Sequence, residues 1–98
     1  MHNIVATFCV ADDVEWPKEK GVRSGYSPHH KFEAVEYLVS GSHVYGDNDL
    51  HYPGEMLTAC ITFPSWEYIH GCINVGDDFE VFELNRLVGY GQVQVISS

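Results

Sequence analysis

Apolar residues fall in short runs separated by polar, glycine-rich breaks, and this spacing predicts strands and corners rather than long helices. Ile4 to Val10 is a continuous β-branched and aromatic run, which predicts a strand in a central position. It ends at Asp12-Asp13, and residues 12 to 21, with Pro17 and Gly21, read as a long polar loop. Phe32 to Val39 is apolar with Glu33 and Glu36 as interruptions. Its period fits a strand or a short helix, and Tyr37-Leu38-Val39 favours the strand. Gly41 to Pro53 is a second loop, and Pro53-Gly54 has the ingredients of a tight turn. Met56 to Phe63 reads as a strand ended by Pro64, which cannot donate to a ladder. Gly71 to Val75 reads as a further short strand before the Gly76-Asp77-Asp78 turn. Phe79 to Leu84 then alternates, with Phe79 and Val81 on one face and Glu80 and Phe82 on the other. In the last strand, Leu87 to Ile96, Gln92 and Gln94 alternate with Val93, Val95 and, earlier, Tyr90. Gly89 and Gly91 share a face, which fits a bend at a barrel corner or the close approach of another backbone. These elements predict an all-β fold, a small antiparallel barrel or sandwich, as one domain over residues 1–98.

Composition narrows the class without naming a function. The 98 residues can bury roughly 60–70% of the unfolded surface, enough for one modest core. Fourteen acidic side chains against five basic ones give a formal charge of −9, and protonating all six histidines would still leave −3. Duplex nucleic acid and anionic membranes are held by Lys and Arg, so both are poor global partners. No segment reaches the ~18–20 apolar residues of a membrane-spanning helix. Met1-His2-Asn3 lacks a positive leader region, so the start reads as a first strand, not a secretory signal, and the mature protein is expected to begin there. Cys9, Cys60 and Cys72 are odd in number and lack CxxC spacing, which suits buried thiols in a reducing cytosol. The expected location is cytoplasmic.

Charge is distributed unevenly. Residues 1–31 carry four acidic and four basic side chains, whereas residues 32–98 carry ten carboxylates and Arg86 alone. The arrangement fits a solvated loop of mixed charge, or a surface divided between a near-neutral loop and an acidic body that attracts basic partners.

Residues able to carry chemistry do not assemble into a recognisable centre. His70 and Cys72 would share a face of a strand, but neither His nor Cys recurs at zinc-finger spacing, and surface histidines with a buried cysteine are the expected reading. Asp47-Asn48-Asp49 starts like a calcium loop, then places Tyr52 where that loop needs Gly and Thr58 where it needs Glu; an Asx-rich turn is expected. All three cysteines lie in apolar or strand surroundings and no G-x-S-x-G word occurs, which argues against nucleophilic catalysis. Trp66 and Tyr68 would share a face if extended, as barrel packing or as an interface anchor pair. No catalytic, cofactor or metal site is expected.

Several words occur in a familiar order. Ser24-Gly25-Tyr26-Ser27-Pro28 is followed by Tyr52-Pro53-Gly54-Glu55, then Ile61-Thr62-Phe63-Pro64, then Phe79 to Val93 with Arg86-Leu87-Val88-Gly89-Tyr90-Gly91-Gln92-Val93 as its clearest part. This order resembles the C-terminal β-barrel domain of elongation factor Tu over nearly the whole chain. The resemblance implies a closed antiparallel Greek-key barrel of about six strands. It implies docking rather than catalysis, since that barrel contacts its own GTPase domain and the T-stem of aminoacyl-tRNA. The chain has no P-loop word and no GTPase domain. Ser27 stands where the family has Arg, His29 where it has Gln, and Leu84-Asn85 where it has Gly-Gly, so the implied fold is kept while the implied ligand surface is changed.

The expected function is therefore a non-catalytic, protein-binding barrel. One alternative is a small acidic immunity- or antitoxin-like inhibitor of a basic toxin. Another is an RNA-contacting module using Lys18, Lys20, Arg23, His29, His30, Lys31 and Arg86. Expected partner-binding residues are the cationic Arg23, His29, His30, Lys31 and Arg86, the aromatic Tyr26, Trp66 and Tyr68, and the acidic Asp77, Asp78 and Glu80. A protein partner, basic in character, is expected; nucleotide, nucleic acid and membrane are not.

Overall fold

Seven strands form one antiparallel sheet in the computed structural model, which describes residues 1–97. They are β1 (Ile4–Val10), β2 (His29–Phe32), β3 (Val39–Ser40), β4 (Ser42–Val44), β5 (Met56–Thr62), β6 (Asp78–Glu83) and β7 (Arg86–Ile96). A single helical turn, α1 (Trp66–Ile69), runs into a 3-10 turn at His70–Cys72. The strand order is β3-β2-β6-β7-β1-β5-β4, so the connections from β1 to β2 and from β5 to β6 step over neighbours.

The continuous apolarity of β1 gives the expected central position, between β5 and β7. Ile4, Ala6, Phe8 and Val10 point inward and are wholly buried. The sheet is nearly closed into a barrel, and the chain itself bridges the gap. Its two outermost strands, β3 and β4, are consecutive and meet at Gly41, where a Cβ would lie 2.8 Å from the His30 ring and 2.9 Å from the Phe63 ring. Only glycine lets the backbone bend this close over the core. The segment before β2 then bonds to β4, with the Gly25 amide donating to the His43 carbonyl at 2.8 Å and the His43 amide to the Tyr26 carbonyl at 2.8 Å. The barrel has seven strands rather than six because Gly41 divides one bent stretch into two.

The glycine pair in β7 marks close approaches, as its spacing suggested. A Cβ on Gly89 would collide with the Cys9 carbonyl oxygen of β1, and one on Gly91 with the ring of Phe79, its cross-strand neighbour in β6. The Tyr52–Glu55 turn also forms as expected, with Gly54 at φ 96° and the Glu55 amide donating to the Tyr52 carbonyl at 3.0 Å.

Three elements differ from the sequence pattern. Phe32 to Val39 is not a strand: β2 ends at Phe32, and residues 33–38 form a turn in which Val35 is buried while Tyr37 and Leu38 are exposed. The Lys31 ammonium stabilises it by donating to the Phe32 carbonyl at 2.7 Å and to the Val35 carbonyl. Gly71 to Val75 is not a strand either, because the helical turns over 66–72 carry Ile69 and Ile73, four residues apart, into the core. In β7, Tyr90 faces outward with Gln92 and Gln94, and Val95 is half exposed, so only Gly89, Gly91 and Val93 continue the buried face.

Candidate docking surface

Of the expected binding residues, Arg23 is exposed and His29 is half-buried at the start of β2. His30 is wholly buried, which corrects its assignment to a surface: it lies on β2 two residues before Phe32 and shares that residue's inward face. Its partner is His43, also wholly buried rather than on the surface, with the two Nε2 atoms 2.7 Å apart. His30 Nδ1 lies 3.0 Å from the Val39 carbonyl and His43 Nδ1 lies 2.9 Å from the Tyr45 hydroxyl. A carbonyl only accepts, so His30 donates through Nδ1 and accepts through Nε2, His43 donates through Nε2, and the Tyr45 hydroxyl donates to His43 Nδ1. Every polar atom of the chain of three is satisfied with both rings neutral. Burial pushes His30 down to about 4, and burial with the neighbouring ring pushes His43 well below the usual histidine range. This relay belongs to the core.

Other expected anchors are also engaged internally. Trp66 is half-buried and stacks on Phe63, with centroids 6.1 Å apart, and the helical turn separates it from Tyr68, which is exposed. The shared strand face expected for these two does not exist, and the same turns remove the one expected for His70 and Cys72. Cys72 is exposed and Cys9 and Cys60 are half-buried, in place of three buried thiols. The Tyr26 hydroxyl donates to Glu83 at 2.5 Å, and Lys18 reaches the same carboxylate at 2.8 Å. Burial would raise the Glu83 carboxyl, but Lys18, the Tyr26 hydroxyl and Arg86 outweigh it and hold it below the usual range.

Asp47 forms the expected Asx turn, accepting from the Asp49 amide at 3.0 Å, and also holds His51 at 2.8 Å. Among the described residues, no group of three or more His, Cys, Asp or Glu side chains is arranged to hold a metal ion. Of the cations of the RNA alternative, His30 is buried, Lys31 is tied to turn carbonyls and Lys18 to Glu83, while Lys18, Lys20 and Arg86 border one cleft that Glu19 also lines.

The acidic residues and Tyr68, by contrast, come together. The 33–38 turn, the 66–72 helical turns and the start of β6 border three adjoining clefts of about 420, 570 and 480 Å³ that share Glu33, with Asp78 common to two. Glu33, Glu36, Asp77, Asp78 and Glu80 line this groove. None of the five forms an ion pair among the described residues. Asp77 accepts from the Asn74 amide at 2.9 Å and Asp78 from Gln92 at 3.3 Å, which fixes two of the carboxylates in place. Tyr37, Tyr68 and Tyr90 add exposed rings along the groove. Sequence reasoning missed Glu33, Glu36 and Tyr37 because it placed them in a strand, and it assigned Tyr90 to the half-buried face.

A scan against protein-family models and a search of curated proteins return no match to this chain.

Proposed function

We propose that the chain is a non-catalytic, protein-binding barrel whose docking face is the Glu33–Asp78 groove and whose partner presents basic side chains. The single observation that carries this reading is the set of five unpaired carboxylates around a groove lined with exposed tyrosines. Unpaired carboxylates at one cleft repel one another, and a lysine or arginine from a partner relieves that repulsion. Tyrosine supplies apolar area with a polar tip at low entropic cost, which is why it anchors interfaces. An acidic inhibitor that covers a basic protein is one form of the same reading. The resemblance to the elongation factor Tu barrel supports docking in general and leaves the partner's chemistry to the groove.

The test is affinity capture with the wild-type chain beside an Asp77→Lys/Asp78→Lys variant. The reading expects a captured protein with a basic surface that is lost on charge reversal. Capture of the same protein by both chains would contradict it.

A further inference from the structure

The opposite end of the β6–β7 hairpin carries a surface of mixed charge with exposed apolar side chains. The six residues of β6 carry the chain roughly 17 Å from Asp78 to Glu83. At the tip that follows, Leu84 has a φ of 56° and is 84% exposed. A two-residue hairpin loop asks for left-handed backbone, which Gly and Asn adopt readily and leucine does not. Leu84 is thus strained and held in water, and the barrel itself gains nothing from it. Beside the tip, Trp16 is 67% exposed and lines a cleft of about 280 Å³ with Val14, Leu87 and Arg86. The Nε of Arg86 is buried without a hydrogen-bond partner, and the pair between a terminal guanidinium nitrogen and Glu83 is long, at 3.9 Å. Lys18 and Lys20 border the adjoining cleft on Arg86, which gathers three of the chain's five basic side chains here.

We infer that this tip is a second docking surface, and that its occupant is a partner segment with an apolar side chain next to carboxylates. The apolar side chain covers Trp16 and Leu84, and the carboxylate takes the two terminal amino groups of the Arg86 guanidinium, which pair with two oxygens at once. Glu15 and Glu19 on the same clefts set the limit: a uniformly acidic segment is repelled, whereas one with an apolar residue at the cleft and charge toward Arg86 is accepted. The inference does not depend on the basic-partner reading of the groove.

The test is fluorescence polarisation with a labelled, amidated peptide bearing a leucine–phenylalanine pair flanked by glutamates, alongside a version with glutamines. The glutamate peptide should bind saturably and roughly fivefold or more tightly than the glutamine one. Leu84→Asn and Trp16→Ala should each weaken binding by a similar factor, Leu84→Asn with a melting temperature no lower than wild type. Arg86→Gln should abolish the preference between the peptides. Equal binding of the two peptides, no saturable binding, or full binding by Leu84→Asn would overturn the inference. Asp77→Lys/Asp78→Lys should leave this binding unchanged, so failure here is distinct from failure at the groove.

Discussion

At Gly89 the consequence of a single missing atom is plain, because the obstacle to a side chain is the Cys9 carbonyl, a backbone group that cannot turn aside. Gly89→Val is expected to cost about 3 kcal/mol or more by overpacking, read as a fall in the urea midpoint. Gly46→Ala, where nothing lies within 4 Å of the new atom, should stay within about 0.5 kcal/mol. The close approach at Gly89 was legible in sequence, since two glycines on one strand face need a reason. The His30–His43 pair was not, because a histidine in a short polar strand reads as exposed; the signal for His30 was its shared parity with Phe32, and His43 offered none. The pair makes stability depend on pH. Both rings stay neutral in the native barrel, while free histidine takes up a proton near pH 6.5, so below that the unfolded chain binds more protons. Stability is therefore full above about pH 6.5 and lost as pH falls toward 4, with His30 alone accounting for about 3 kcal/mol. His51, raised by Glu55 and Asp47, runs the other way, so the measurement is cleanest in a His51→Gln background. A urea midpoint that stays level from pH 7 to pH 4.5 would contradict the buried relay.

Element by element, the strands that carry the core were readable and the two segments that build the groove were not. β1, β5, β6 and β7 announce themselves by β-branched runs and alternation, and each forms close to its expected bounds. The 33–38 turn and the 66–72 helical turns are apolar enough to pass for strands, but their apolar residues serve separate ends: Val35, Ile69 and Ile73 enter the core while Tyr37, Leu38 and Tyr68 stay in solvent. What decides the first segment is Lys31, whose ammonium satisfies two turn carbonyls in place of a ladder. Lys31→Ala should cost about 1.5–3 kcal/mol, the range for hydrogen bonds to a charged group. Amide exchange should quicken at Val35 and its neighbours and stay slow in β1. Uniformly faster exchange across the barrel would show that Lys31 acts on the whole fold instead.

For the whole molecule, the division of charge along the chain becomes a division between two ends of one hairpin. The loop of residues 12–21 packs its mixed charges against the tip near Arg86, and the groove at the start of β6 sets five carboxylates against a single lining cation, Lys31, whose ammonium is tied to turn carbonyls. Association with a basic partner should then slow as salt rises, more than dissociation quickens, since attraction beyond roughly 8–10 Å is screened at ordinary ionic strength. Tyr68→Ala should act on the dissociation rate, whereas Trp66→Ala should show first as lost stability because its ring stacks on Phe63. Stopped-flow association that ignores both salt and the reversal of Asp77, Asp78 and Glu80 would leave the charge without a role in binding. The most direct measurement of the central claim is an NMR titration of the 15N-labelled chain with a lysine- and arginine-rich peptide as probe. The account predicts saturable, salt-sensitive shifts concentrated in residues 33–38, 66–72 and 74–80, and their loss in Asp77→Lys/Asp78→Lys. Shifts spread evenly over the barrel, or a full response in the reversed variant, would contradict it.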